Sequence, residues 1–431
     1  MALRFQRLPI AHPRTSRGLP CRAFLCLTAL VRKPGTTAAF TFFFLVLPYG
    51  ISNGFASITL PFILTQNGFP VATSASVVAI GLSANLWRFL WGPVADLTLT
   101  ARRWYLIGLI TSTATMILLG FMPFRQSGVS MLTAVVFISQ VAATLIVLPV
   151  GGLIAHTVPD EEKGRAAGWY QAGNLGGTGI GGGAGVWLAA HFSKETAGDA
   201  LGLAMMASAA ALYFVSDVRL VTGERISARL RILWLDIRDM TRAAIPLFTI
   251  VLVCSAIGAG AMNNLWSAVA PDWRAGPDTV AFVSGLLNGI VSAIGCVVGG
   301  WIADRVGRWW SYFGSGVAIA FVALVMAAAA RTPAIYSAGV LVYAFFCGMA
   351  YAAFSAVVLS AIGRGAASTK YATLSSLGNI PVIYMTALDG WVHDRFGTGW
   401  MLIAEAIAGV VCVALALLVL QKIGGRQDRT G

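Results

Sequence analysis

Apolar residues in this chain run in long blocks. Proline, glycine and arginine separate about twelve of them, at approximately 39–65, 74–96, 104–123, 130–156, 166–191, 200–218, 244–269, 279–303, 309–330, 334–362, 371–392 and 399–421. Each is close to the roughly 20 residues that a helix needs to cross a bilayer. No polar/apolar alternation of about ten residues recurs, which argues against a lipid-embedded barrel. The pattern predicts an all-α integral membrane protein with 12 transmembrane helices.

Composition agrees. The 431 residues are 57% hydrophobic and only 11% charged, where soluble domains carry about 25% charged residues. The basic residues then set orientation. With a cytoplasmic N-terminus, 24 of the 30 Lys and Arg fall in the tails, the central connection and the inward loops. The positive-inside rule therefore predicts cytoplasmic termini, in a multi-pass protein of the bacterial inner (plasma) membrane. The net charge of +13 reads as this topology signal plus attraction to the lipid bilayer, with no nucleic acid partner. Cys254, Cys296, Cys347 and Cys412 lie inside apolar runs, and Cys21 and Cys26 in the tail. None has metal-ligand or CxxC spacing, so neither metal nor cofactor is expected. In the tail, "RAFLCLTALVRKPG" has an apolar core too short to span and no small-residue cleavage site. Residues 1–37 read as a basic cytoplasmic tail or an over-called start.

The chain repeats itself at an offset near 208. Asp96 pairs with Asp304, Pro61 with Pro271 (each eight residues after an asparagine, Asn53 and Asn263), and Trp187/Phe192 with Trp391/Phe396. This order predicts two pseudo-symmetric six-helix bundles, 38–218 and 244–422. A cytoplasmic amphipathic linker over 219–243 joins them, and a tail over 423–431 follows. Duplicated halves place a binding site near the midplane, at their interface.

"GGWIADRVGRWW" at 299–310 and "FLWGPVADLTLTARRW" at 89–104 end two apolar runs in charge. They resemble the major facilitator superfamily, whose signature after the second span is G-x-x-x-D-R-x-G-R-R. The C-terminal copy keeps Gly300, Asp304, Arg305, Gly307 and Arg308. The N-terminal copy keeps Gly92, Asp96 and the late Arg102 and Arg103, with Leu97 where an arginine is usual. "LPYGISNGFASITLPFILTQNGF" and "WRFLWGPVAD" are similar to the AmpG-type muropeptide permease and acetyl-CoA transporter branch, and siderophore permeases share this look. The resemblance implies that Asp96 faces the start of span eleven, near Ser368 to Ala372. By pseudo-symmetry Asp304 faces the start of span five, near Arg165 to Gly168. Glycine lets helices approach, and a carboxylate at a helix N-terminus gains about 0.3–1 kcal/mol, up to about 2 when partly buried. The two contacts would latch the inner gate.

"GNLGGTGIGGGAG" contains G-x-G-x-x-G, but inside an apolar run, without the strand that a dinucleotide site requires. Gly173, Gly177, Gly181 and Gly185, four apart, instead form one helix stripe for close packing. It suits a moving interface between the halves or a static contact.

Polar residues without a counterpart in the other half are the better candidates for chemistry. Arg88 lies two turns inside span two, and Cys296 occupies its place in the repeat. Intramembrane charge marks function or pairing, so Arg88 is expected to contact an anionic group of the substrate, with snorkelling or carboxylate pairing as the alternatives. Glu405, Asp389 and His393 are the candidates for proton coupling, the latter two also for outer-gate polarity. Uncharged substrate-binding candidates are Tyr49, Asn53, Gln140, Gln171, Asn174, Asn263, Asn264, Asn288, Tyr351, Asn379 and Tyr384, all on spans that line the family's cavity, or else interhelical bonds. The expected protein is a non-enzymatic, monomeric secondary active transporter. It works by alternating access, coupled to protons, on a small to medium organic solute, anionic or amphipathic. A muropeptide, a siderophore or an acyl-CoA-like metabolite fits that description. No G-x-x-x-x-G-K-[ST] supplies ATP drive. A receptor or scaffold and an intramembrane enzyme are the competing classes.

Overall fold

A computed structural model describes residues 37–69, 71–215, 231, 234–235, 238, 265–361 and 367–427; among these there is no β-strand. The N-terminal tail, most of the linker, Asn263 and Asn264 lie outside the described residues, as does the Tyr384 side chain.

Helix α1 (Thr41–Gly54) runs through a π-helical turn, Phe55–Thr59, into Leu60–Gln66. Then come α2 (Val71–Leu82), α3 (Ala84–Leu97), α4 (Ala101–Phe121) and α5 (Val129–Thr157). Helix α6 (Lys163–Gly179) continues through a second π-helical turn, Ile180–Ala184, to His191, and α7 (Lys194–Ala207) follows. In the second set a third π-helical turn, Ala281–Leu287, opens α8 (Asn288–Arg305). The rest are α9 (Arg308–Ala328), α10 (Pro333–Ala361), α11 (Ala367–Leu377), α12 (Asn379–Phe396) and α13 (Thr398–Gln427).

Eight of the described helices are long and apolar enough to cross a membrane by themselves. The second span becomes a ninth as a bent pair, Ser76–Arg88 and Leu90–Leu97, at 53°. Proline explains the bend: Pro93 has no N–H for the carbonyl of Phe89, four residues back, and its ring crowds that carbonyl. Residues 163–191 are helical over a comparable length but glycine-rich, and 367–396 is interrupted at Gly378. The seventh predicted span, 244–269, falls mostly outside the described residues.

Within the first set α1 packs on α6, and α4 on α5 and α7; within the second, α8 and α9 pack on α10, and α13 on α9 and α12. Across the sets α6 meets α8 and α10, while α11 meets α3 and α5. One apolar core therefore runs from Leu45, Tyr105, Val136 and Ile146 into Ala356, Val357, Tyr371 and Leu374. The repeat survives in detail: Trp187 meets Phe192 edge-on at 5.7 Å, and Trp391 meets Phe396 edge-on at 6.1 Å.

The glycine stripe of α6 decides how closely that helix lies on α1. A Cβ on Gly177 would stand 2.6 Å from Leu47 O, and Gly173 and Gly181 leave room for Phe43 O and Ile51 O. Gly185 faces the Thr59 side chain. All four pack within the first set. The contact with the second set uses another face of α6, Gly164, Gly168 and Gly179, against Gly300, Cys296 and Gly289 of α8.

Candidate functional site

Two carboxylates bridge the sets at one end of the bundle. Asp96 Oδ2, at the end of α3, accepts from Thr369 N–H at 2.8 Å and Thr369 Oγ1–H at 2.6 Å, in the first turn of α11. Asp304, at the end of α8, accepts from Gly164 N–H at 2.7 Å and Arg165 N–H at 2.8 Å, in the first turn of α6. The first N–H groups of a helix lack intrahelical acceptors and carry its positive dipole end, so both contacts are charge-assisted caps supplied by the other set. Glycine permits the approach: a Cβ on Gly92 would stand 2.8 Å from Thr369 Cα, and one on Gly300 would stand 2.8 Å from Gly168 Cα.

The motif arginines surround these caps. Arg308 donates to Asp160 O across the sets, and Lys163 Nζ to Leu359 O at 3.3 Å. Arg305 lies over the Trp301 ring of its own helix at 4.5 Å. Arg102 caps the carbonyl of Leu212 at 2.6 Å, and Arg103 is exposed. Gly307, at φ +122°, turns the chain between α8 and α9 in backbone space that side-chain-bearing residues avoid.

Above the caps lies a cavity of about 1820 Å³ between the two sets, reaching the exposed His191 and Asp278 at the opposite end. Its upper part is lined by the three π-helical turns, through Ser57, Gly183 and Ser284 among others; such turns are common at functional sites. Its floor is aromatic and polar. Tyr170 and Tyr371 meet edge-on at 5.7 Å across the sets, and Gln171 Nε2 donates to Ser355 Oγ at 2.6 Å. Asn174 Nδ2 donates to Gln171 Oε1 at 3.0 Å, and Tyr49 OH to Asn85 Oδ1 at 2.8 Å. Among the described residues, the Asp96/Asp304 end is bridged by both caps, and the cavity reaches exposed residues at the other end.

Arg88 is the charged group on this floor. It is 9% exposed and its Nε donates to Ser376 Oγ at 3.3 Å. Among the described residues no carboxylate comes within 4 Å of it. Asn53 also lines the cavity, and its Oδ1 is buried with no donor among the described residues. Asn288 accepts from Ser292 at 3.2 Å, Asn379 donates to Ser375 O at 3.2 Å, and Tyr351 completes the wall.

Other candidates stand elsewhere. Gln140 is outside the cavity wall; its Nε2 donates to Ser52 O at 3.2 Å, joining α5 to α1. Glu405 and Asp389 are buried away from the cavity, Glu405 accepting from Tyr343 OH. His393 lies 3.3 Å from Asp272 near the open end.

The sequence does not single out Tyr170, Ser355, Ser376 and Asn85, or Tyr371 as a cavity residue, because a serine or tyrosine in a span draws no notice. Thr369 falls within the 368–372 stretch expected to meet Asp96. What marks the first five is contact made in the folded protein: Ser376 accepts from Arg88, Ser355 from Gln171, Asn85 from Tyr49, and the Tyr170 and Tyr371 rings meet across the sets.

Residues 42–383 match the family model for the Major Facilitator Superfamily. No curated protein matches the chain. Among solved structures, the human organic anion transporter MFSD10 (TETRAN) is similar at a TM-score of 0.67 and 14% identity, over 89% of this chain and 100% of that one. XylE, a proton:xylose symporter of the same superfamily bound to 6-bromo-6-deoxy-D-glucose, is similar at 0.64 and 14% identity, over 87% of this chain and 94% of that one. Likeness at such identity is likeness of fold, and with the family model matching most of the length, this chain belongs to the major facilitator superfamily.

Proposed function

We propose that this protein is a secondary active transporter for an organic anion or an amphipathic solute, working by alternating access and coupled to protons. Arg88 carries the reading: a guanidinium buried in a cavity wall within the membrane is costly unless it meets a negative group, and no protein carboxylate among the described residues supplies one within 4 Å. A solute carboxylate or phosphate would take that place bidentately. The tyrosine rings of the floor would hold its apolar body, and the orphan Asn53 Oδ1 would accept a hydrogen bond from it. Both fold neighbours carry small solutes, organic anions in one case and xylose with protons in the other. The motifs at 47–69 and 87–96 favour the AmpG-type branch, so a muropeptide, a siderophore and an acyl-CoA-like metabolite head the solutes to try.

The halves 38–218 and 244–422 rock about the cavity as a monomer in the inner membrane. The Asp96 and Asp304 caps then form the cytoplasmic latch, and the described state is outward-open. Thermal-shift screening of the full-length protein against these anions, then liposome uptake with and without a pH gradient, tests the reading. Arg88→Gln is expected to raise Kd for a bound anion by about tenfold to a hundredfold, from the loss of one charge-assisted pair. Equal binding by Arg88→Gln and the unaltered protein would end the proposal.

A further inference from the structure

Two carboxylates of the last hairpin lie behind the cavity wall. Asp389 on α12 precedes Gly397 by eight residues and Glu405 on α13 follows it by eight, so both lie roughly 12 Å from the turn. Glu405 Oε1 accepts from Tyr343 OH of α10, and Asp389 lies within electrostatic range of the same hydroxyl. Asp389 is 0% exposed, and neither of its oxygens meets a donor among the described residues.

An ionised carboxylate in such a place requires a cation or several donors. The chain has no Lys or Arg at 243–273, 275–304, 309–330, 332–363, 371–394 or 396–421, so no crossing of this half offers a cation. Among the described residues, Tyr343 of α10 lies within electrostatic range of both carboxylates and Cys347 of α10 within range of Glu405. Helix α9 has no charged residue beyond Arg308, α11 none beyond Lys370, and 243–271 none at all. His393, one turn outward from Asp389, is engaged with Asp272 at 3.3 Å. Toward the outer end, buried Trp266 meets Tyr343 edge-on at 5.4 Å and Tyr336 at 6.3 Å. The cavity is one helix away: Cys347, one turn from Tyr343, lines it, as does Ser284, whose Oγ lies 2.8 Å from Tyr336 OH.

We propose that Asp389, Glu405 and Tyr343 form a proton-binding site behind the cavity wall, and that its occupancy sets which end of the cavity is open. The site rests on the transporter reading above and locates its proton away from the solute. A proton from the outer medium bonds to a carboxylate oxygen; no bond other than O–H forms or breaks, and the proton leaves to water on the inner side. With the carboxylates neutral, the Glu405–Tyr343 contact ties α13 to α10 as described. Deprotonation leaves a charge in an apolar place, and the hairpin moves against α10 to admit water, displacing the wall that carries Cys347.

Infrared spectroscopy of the full-length protein in lipid nanodiscs tests this through the C=O stretch of protonated carboxyl groups between about pH 5 and pH 9. The unaltered protein should show a buried carboxyl band whose intensity changes across this range. Asp389→Asn and Glu405→Gln, which mimic the protonated form and preserve shape, should each reduce the band, and together abolish it. Hydrogen–deuterium exchange at the outer mouth (278–287), timed to equalise chemical exchange, should change about fivefold or more with pH in the unaltered protein and not in the double variant. An unchanged band in the double variant, mouth exchange that keeps its pH response there, or loss of the band to sodium at fixed pH would each overturn the proposal. None of these readings uses a transported solute, so failure of liposome uptake would count against the transporter reading alone.

Discussion

Asp96→Asn separates charge from shape at the latch. Asn keeps an oxygen that can accept from Thr369 N–H and Oγ1–H, now at 2.8 and 2.6 Å, but it carries no charge. A hydrogen bond to a charged group contributes about 1.5–3 kcal/mol and a neutral one about 0.5–1.5. The interaction with the helix dipole adds about 0.3–1 kcal/mol. Across two bonds and the dipole, the closed end should lose about 2.3–4 kcal/mol, a population shift of roughly 50- to 900-fold toward opening there. Because α11 starts at Ala367, the amides of 367–377 report directly. Hydrogen–deuterium exchange of the full-length variant in nanodiscs should show that segment deprotected while α7, which packs on α4 within the first set, stays unchanged. Transport should fall with expression intact. Unchanged protection at 367–377 together with full transport would refute the latch, whatever the solute proves to be.

Two glycine variants should part company. Gly177→Ala places a methyl 2.6 Å from Leu47 O, a backbone atom of the same set. It should cost about 1–3 kcal/mol of stability, read as a lower thermal unfolding midpoint without a change of gate. Gly300→Ala pushes on Gly168 Cα, 2.8 Å away in the other set, and should deprotect the first turn of α6 as Asp96→Asn deprotects α11, with the unfolding midpoint moving less than in Gly177→Ala. The Arg88→Gln binding assay and the carboxyl band of Asp389 and Glu405 complete the set, the first reading the cavity floor and the second the hairpin behind it.

What was legible in the sequence is what depends on local composition. Hydropathy blocks gave the crossings because a segment inserts by its own transfer energy. The bend of the second span is equally local, since the missing N–H and ring of Pro93 act on its own helix, although no bend was expected there. Arg88 stood out because a charge inside a span is rare whatever surrounds it. Gly307 held its place in the motif for a backbone reason, its φ of +122°.

Partnership was decided only in the tertiary structure. The 3.6-residue period says which residues share a helix face but not which neighbour that face meets. The stripe Gly173, Gly177, Gly181 and Gly185 therefore turned out to pack on α1, while Gly164, Gly168 and Gly179, on another face of the same helix, meet the opposite set. Gln140 and Gln171 are alike as residues in a span, yet one joins α5 to α1 and the other reaches Ser355 across the cavity floor. Asp389 and Glu405 were two isolated acids sixteen positions apart until a turn at Gly397 laid their helices antiparallel and set both near Tyr343. Apolar content commits each segment to the membrane by itself, but the rotation of every helix about its axis is fixed by all its neighbours together, and that rotation chooses which polar groups meet.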